Sequence, residues 1–154
     1  MIGRLAAVVA GLTKGAVAVF MAAMAAVIVA EVFGRYVLNS SIYFSEELSR
    51  FCFIWAGFLG ASLALREGGH IGMTFVVDRL GPAAGRRALV AARLLVLLLL
   101  GVVVVAGASV LPDQWAQQTS TLGFSVFWFY LAVPLGAALA AVQALALLCS
   151  RPSR

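Results

Sequence analysis

The sequence predicts an all-α integral membrane protein with four transmembrane helices, and three observations support this prediction. Of the 154 residues, 64% are hydrophobic and 11% are charged, whereas about a quarter are charged in an average soluble domain. The apolar residues gather in four stretches, each long enough to cross a hydrocarbon core of about 30 Å. Basic residues gather in alternate connections and in the tails, as the positive-inside rule expects.

The predicted spans cover residues 13–38, 45–67, 88–111 and 124–149, within a single membrane domain of residues 1–154. The first stretch could also be interpreted as a cleaved signal peptide, because Arg4 and Lys14 precede an apolar run. However, the pattern continues past Glu31 as VFGRYVL, which favours a retained helix. The third stretch is the most uniformly apolar, and the fourth opens with an aromatic cluster at residues 127–130.

A shorter segment, residues 70–80, lies between the second and third predicted spans. Glycine or proline pairs flank it, and it combines apolar residues with Asp78 and Arg79. Because it is too short to span, it predicts a helix that lies in the cytoplasmic interface.

The distribution of Lys and Arg predicts the orientation. The N-terminal segment, the connection between the second and third spans and the C-terminal tail carry Arg4, Lys14, Arg66, Arg79, Arg86, Arg87, Arg151 and Arg154. The connection between the third and fourth spans has no basic residue, and the first connection has only Arg35 at its edge. Both termini are therefore predicted to be cytoplasmic. This pattern also accounts for the net charge of +5 without nucleic acid as a partner.

Few residues could carry out chemistry. Cys52 and Cys149 lie inside apolar stretches, so we expect free thiols rather than a disulfide framework. His70 is the only histidine, which excludes haem held between two histidines of this chain and favours a loop or helix-cap role. The sequence has no nucleophile–base arrangement, metal cluster or phosphate-binding loop. It therefore predicts no enzymatic activity, no metal site and no cofactor in this chain.

The densest polar group lies near the start of the second span. Glu46 and Arg50 are four residues apart, and Glu47 and Arg50 are three apart, spacings that bring side chains together on a helix. Three interpretations stay open: a self-neutralised ion cluster, a contact with a partner protein or another helix, and a proton or cation site. The last is disfavoured because Arg50 would neutralise one of the acids.

Other residues at membrane depth have structural interpretations. Glu31 and Arg35 are also four residues apart and predict a structural ion pair. Trp55 lies ten residues into the second span, where its indole N–H needs an acceptor, and this favours a helix-packing anchor. Gly57 and Ala61 have the small-xxx-small spacing that allows close contact with another helix.

An ordered set of motifs resembles the small membrane subunit, DctQ-like, of tripartite ATP-independent periplasmic (TRAP) transporters. The motifs are Arg-Tyr-Val-x-Asn from Arg35, Ser-Glu-Glu-x-x-Arg from Ser45, Trp55, Phe-Leu-Gly-Ala from Phe58, Arg-x-Gly-Gly-His-Ile from Arg66, a Gln-x-Ser/Thr segment near Gln118, and Tyr-x-x-x-Pro-x-Gly from Tyr130. The resemblance extends from about Val32 to Leu145. Phe44 stands where the family usually has Trp, and Met73-Thr74 where it commonly has a Val-Asp-like pair.

The resemblance implies a role in the bacterial inner membrane. In such systems a soluble periplasmic binding protein captures an organic acid, and a large membrane subunit moves it inward with sodium. The small subunit enlarges the scaffold of the large one, so sodium coupling is expected in the large subunit. Candidate contacts with that subunit are Glu46, Glu47, Arg50, Trp55, Gly57 and Ala61.

Two other functions stay open at this point. One is an autonomous homo-oligomeric transporter of small cations with Glu31 as its site, although Arg35 would leave no free acid. The other is a membrane anchor for an enzyme complex. The predicted partners are thus the large membrane subunit, the periplasmic binding protein and membrane lipids.

Overall fold

The computed structural model describes residues 2–68 and 82–149, and within them it confirms the all-α membrane fold class. Four of the described helices are long and apolar enough to span a bilayer. The predicted interfacial helix at 70–80 lies outside the described residues. The helices are α1 (Ile2–Val37), α2 (Ser45–Gly68), α3 (Pro82–Gln114), α4 (Phe127–Tyr130) and α5 (Ala132–Cys149).

The four long helices pack side by side in one layer. α1 packs along α2, α2 along α5, and α5 along α3, whereas α1 meets α5 over a shorter stretch. α2 and α5 therefore occupy the middle of the layer. None of the most apolar stretch of α1 or α3 is buried, compared with 22% of that stretch in α2 and 44% in the span that α4 and α5 form together. This exposure suits a bilayer, because lipid tails are as apolar as the side chains that face them.

The turn between α1 and α2 depends on a left-handed residue and a close backbone approach. Asn39 has a φ of 49°, and the carbonyl of Gly34 accepts hydrogen bonds from the N–H groups of Leu38 and Ser40. A Cβ added to Gly34 would lie 2.9 Å from the Ser40 carbonyl oxygen, so only glycine fits there. At the start of α2, the Ser45 hydroxyl donates 2.7 Å to the carbonyl of Ile42.

Glycines allow the closest helix contacts in the layer. A Cβ at Gly136 of α5 would lie 2.7 Å from the Cβ of Phe58 on α2. A Cβ at Gly107 of α3 would lie 3.1 Å from the Cδ of Pro134 on α5. Small residues at crossing points let backbones approach closely, and both contacts hold α5 between its neighbours.

The fourth span begins later than the sequence predicted. Residues 124–126 belong to a preceding hairpin, and the span is divided at Leu131 into α4 and α5. In a continuous helix the N–H of residue 134 would donate to the carbonyl of Tyr130. Pro134 has no N–H, and this missing hydrogen bond explains the break at Leu131. Pro134 is the third residue of α5, where a missing N–H is tolerated.

The third helix is longer than predicted at both ends. It runs from Pro82 to Gln114 and contains Pro112. Proline removes one hydrogen bond to the preceding turn, and α3 continues only two residues further before Trp115 N–H donates to the Pro112 carbonyl at 3.3 Å.

Residues 115–126 form a hairpin between α3 and α4. The Thr119 N–H donates 2.8 Å to the Phe124 carbonyl, and Gly123 adopts a φ of 65° at the tip, a conformation that favours glycine. We call the end of the layer that carries this hairpin and the start of α2 the hairpin end. Under the predicted orientation it faces the periplasm, and this orientation stays a prediction.

Candidate partner interface on the second helix

One side of α2 is exposed along most of its length although the helix lies in the middle of the layer. Glu46, Arg50, Phe53, Gly57 and Ala61 are all exposed, and their spacings of three and four residues place them in one stripe. We call these five residues the exposed stripe. No atom lies within 4 Å of a Cβ added to Gly57, so the stripe has room for a closely packed partner helix.

The exposed stripe carries an ion pair at the hairpin end. Arg50 Nη2 donates 2.7 Å to Glu46 Oε1, and the two side chains are 63% and 82% exposed. In water such an exposed pair contributes little to stability. At the edge of a membrane it offers a donor and an acceptor to a partner, because neither charged group is enclosed by this chain.

Glu47 points away from the stripe. Its Oε2 accepts hydrogen bonds from the backbone N–H groups of Leu122 at 2.7 Å and Thr121 at 3.2 Å. A carboxylate that accepts backbone N–H groups makes stronger bonds than a neutral acceptor does. Glu47 therefore fastens the hairpin to α2.

Trp55 is likewise engaged within the chain. Its indole Nε1 donates 3.1 Å to the carbonyl of Trp128, which supplies the acceptor that the sequence required. The ring stacks on Phe20 of α1 at 5.7 Å between centroids with an interplanar angle of 19°. Trp55 thus connects α1, α2 and α4, in the manner of a packing anchor.

Glu31 and Arg35 form a hydrogen-bonded ion pair near the end of α1. The predicted small-cation site required Glu31 as a free acid. With Arg35 bonded to it, Glu31 has no uncompensated charge to offer a cation. The described residues contain no group of three or more His, Cys, Asp or Glu side chains that could hold a metal ion.

The structure therefore divides the predicted contact residues between two sides of one helix. Glu46, Arg50, Gly57 and Ala61 lie together on the exposed stripe, whereas Glu47 and Trp55 make contacts inside the chain. Sequence reasoning missed Thr121 and Leu122 as the partners of Glu47. A helix-period comparison could have separated Glu47 from Glu46, because neighbouring helix positions diverge by about 100°.

Comparison with known proteins gives a family match over most of the chain. Residues 24–152 match the family described as Tripartite ATP-independent periplasmic transporters, DctQ component. The chain is 29% identical over 116 residues to the sialic acid TRAP transporter small permease protein SiaQ of Vibrio cholerae, covering 75% of this chain and 67% of that protein. It is 34% identical over 123 residues to the ectoine TRAP transporter small permease protein TeaB of Halomonas elongata, covering 78% of this chain and 63% of that protein.

A third relative is a longer protein. The chain is 26% identical over 109 residues to the sialic acid TRAP transporter permease protein SiaT of Haemophilus influenzae, covering 71% of this chain but only 18% of that protein. One segment of this permease is therefore similar to the present chain. The chain spans about two thirds of the length of the SiaQ and TeaB relatives.

Proposed function

Because the chain belongs to the DctQ family of TRAP transporters, we propose that it scaffolds a large, sodium-coupled transport subunit for uptake of an organic acid. A periplasmic binding protein delivers that solute in the proposed system. The chain is a multi-pass protein of the bacterial inner membrane and is not an enzyme. The proposed orientation places the hairpin end in the periplasm, on the side of the binding protein.

The exposed stripe of α2 carries this proposal. α2 has the lowest mean hydropathy of the four candidate spans, and its open side begins with the Glu46–Arg50 pair. Polar and charged groups are costly against lipid, and the open space over Gly57 suits a closely packed helix. We therefore assign the stripe to a transmembrane helix of the large subunit, with Glu46 and Arg50 at the edge of the contact.

The SiaT relative supports a direct contact between the two subunits. A segment similar to this chain makes up 18% of that permease, and we propose that the remainder contains the counterpart of the large subunit, joined to this segment in one polypeptide. Segments of one polypeptide stay close together in the membrane. We propose the same proximity between this chain and the separate large subunit.

Glu47 and Trp55 are not part of the proposed contact. Their polar groups are directed to the hairpin and α4 inside this chain. The proposed interface therefore consists of Glu46, Arg50, Phe53, Gly57 and Ala61.

The decisive experiment compares two exposed glycines. Gly57 in α2 and Gly101 in α3 are both exposed, and no atom lies within 4 Å of a Cβ added at either position, so Gly57→Leu and Gly101→Leu form a matched pair. The tagged variants are co-purified with the large subunit in mild detergent. We expect Gly57→Leu to reduce recovery of the large subunit several-fold, and Gly101→Leu to leave it unchanged.

Loss of recovery with Gly101→Leu alone would move the interface to α3. Full recovery with both variants would contradict a contact at the stripe. As a second test, Glu46→Lys places a second cation beside Arg50 and should also weaken recovery of the large subunit, because like charges at this spacing repel.

The identity of the transported solute and the sodium coupling of its uptake are tested in a separate assay. Proteoliposomes with both membrane subunits, supplied with the binding protein, are tested for uptake of labelled carboxylates with and without an inward sodium gradient. Uptake that needs all three proteins and the gradient is the expected result. The relatives are named for sialic acid and for ectoine, and both compounds belong in the first panel. Uptake by this chain alone would contradict the scaffold role.

A further inference from the structure

An apolar cavity of about 260 Å³ lies at the hairpin end, beneath the hairpin. Its walls come from the start of α2, the hairpin and α4. The lining residues are Leu48, Phe51, Leu122, Phe124, Trp128 and Phe129. Phe124 and Trp128 are 57% and 48% exposed, so the cavity reaches the surface of the chain.

Glu47 builds this cavity without lining it. Its carboxylate accepts the Leu122 N–H at 2.7 Å, and this bond fixes Leu122, one of the lining residues, relative to α2. Two further lining residues are in contact with each other, since the Phe51 ring meets that of Phe129 edge-to-face at 5.1 Å between centroids. The cavity is therefore a consequence of specific contacts and not of loose packing.

The lining determines the chemistry of an occupant. Water in a cavity needs two to four polar partners, and a dry apolar cavity of about 150 Å³ already accommodates benzene. Here the volume is larger and all six lining side chains are apolar or aromatic. An apolar group larger than a benzene ring fits this space, and a hydrated or charged group does not.

The position in the membrane identifies the source of that group. Phe51 lies six residues after the start of the α2 span at Ser45, which is about 9 Å at about 1.5 Å per residue. Since a span of this length crosses a hydrocarbon core of about 30 Å, a point about 9 Å inside it lies among the upper acyl chains, just below the interface where aromatic residues such as Trp128 are enriched. The neighbouring apolar material at this depth is the upper part of lipid chains.

The cavity and the exposed stripe lie on different sides of α2. Leu48 and Phe51 are rotated by at least about 100° from Glu46, Arg50 and Gly57 at about 100° per residue. A helix seated on the stripe would therefore leave the cavity open to lipid. This separation favours lipid over the proposed partner subunit.

We infer that the cavity holds the upper part of one phospholipid acyl chain from the leaflet at the hairpin end, with Glu47 as the positioning residue that keeps the cavity formed. This inference requires only that the chain spans a bilayer, and not that the proposed subunit contact is right. Glu31 is the control, since it has the same side chain, bonds to Arg35 of its own helix and does not line the cavity.

The test uses photocrosslinking in native membranes that contain the assembled transporter. The photoreactive residue p-benzoylphenylalanine replaces Phe124 at the cavity, and in a second chain it replaces Phe53 on the stripe. Mass spectrometry then identifies what is attached. At position 124 we expect a phospholipid adduct, reduced several-fold by Glu47→Ala and unchanged by Glu31→Ala.

A second variant covers the case in which Glu47→Ala disturbs folding. Leu48→Phe adds volume inside the cavity and leaves the bonds of Glu47 in place, so it should also reduce the phospholipid adduct several-fold. A protein adduct at position 124, or a lipid adduct that is indifferent to both Glu47→Ala and Leu48→Phe, would overturn the inference.

Position 53 reports on the other proposal. An adduct with the large subunit is expected there. A phospholipid adduct at position 124 without a large-subunit adduct at position 53 would support the acyl-chain cavity and contradict the interface on the stripe. The experiment can therefore reject either proposal without rejecting the other.

Discussion

The two sides of α2 differ in what covers them. On the packed side, Phe58 meets Gly136 of α5 and Trp55 donates to the Trp128 carbonyl. On the exposed stripe, no atom lies within 4 Å of a Cβ added to Gly57. The side chains of the Glu46–Arg50 pair are also largely exposed. The same helix thus serves as the core of this chain on one side and offers an uncovered surface on the other.

This difference teaches that residue type and nearness in sequence do not assign a role in a membrane helix. Glu46 and Glu47 are adjacent and identical, yet one bonds to a cation on the exposed stripe and the other to two backbone N–H groups of the hairpin. Gly57 and Gly136 are both helical glycines in apolar surroundings, yet only Gly136 is in close contact with another helix. The contrast predicts opposite results from matched substitutions.

The largest expected effect is at the α2–α5 crossing. A Cβ at position 136 would lie 2.7 Å from the Phe58 Cβ and 3.0 Å from the Phe58 carbonyl oxygen, so Gly136→Ala forces the two backbones apart. Overpacking of this kind costs about 1 to 3 kcal/mol. We expect the free energy of unfolding, measured by SDS titration of the purified chain, to fall by an amount in this range.

Gly57→Ala is the matched control for this prediction. No atom lies within 4 Å of the added Cβ, and alanine is the better helix former by about 1 kcal/mol. Stability should be unchanged or slightly raised. Equal losses of stability from both variants would mean that the two sides of α2 are packed alike, and the comparison would then be wrong.

A smaller loss is expected from Trp55→Phe. The substitution keeps an aromatic ring beside Phe20 but removes the hydrogen bond to the Trp128 carbonyl, and one such bond contributes about 1 kcal/mol. The unfolding free energy should fall by about that amount, while recovery of the large subunit should not change.

Trp115→Phe provides the reference for Trp55→Phe, since Trp115 is 63% exposed and its substitution should affect stability less. Loss of the large subunit with Trp55→Phe and retained stability would return Trp55 to the proposed interface.

Much of the fold was predictable because the bilayer restricts what an apolar chain can form. Only helices and closed barrels satisfy the backbone in lipid, so long apolar stretches identify the spans directly. The i,i+4 pair of Glu31 and Arg35 was also accessible, since helix geometry alone brings these side chains together. Both inferences use contacts that are local in sequence.

What the sequence did not reveal depends on distant contacts. The Glu47 acceptor role involves Thr121 and Leu122, more than 70 residues away, and no spacing rule reaches that far. The division between the exposed stripe and the packed side also needs the order of helices in the layer.

The smallest expected effect concerns the ion pair at the end of α1. The side chains of Glu31 and Arg35 are 21% and 56% exposed, and exposed pairs on helices contribute about 0.5 kcal/mol or less. A double-mutant cycle with Glu31→Gln and Arg35→Gln should therefore give a coupling energy of no more than about 0.5 kcal/mol for the isolated chain. The same cycle measured on the assembled transporter tests whether this region is covered there. A coupling that stays small means that the pair faces the aqueous or headgroup region in both states. A coupling that rises well above this value means that a partner covers the end of α1, and the proposed interface would then have to extend beyond α2.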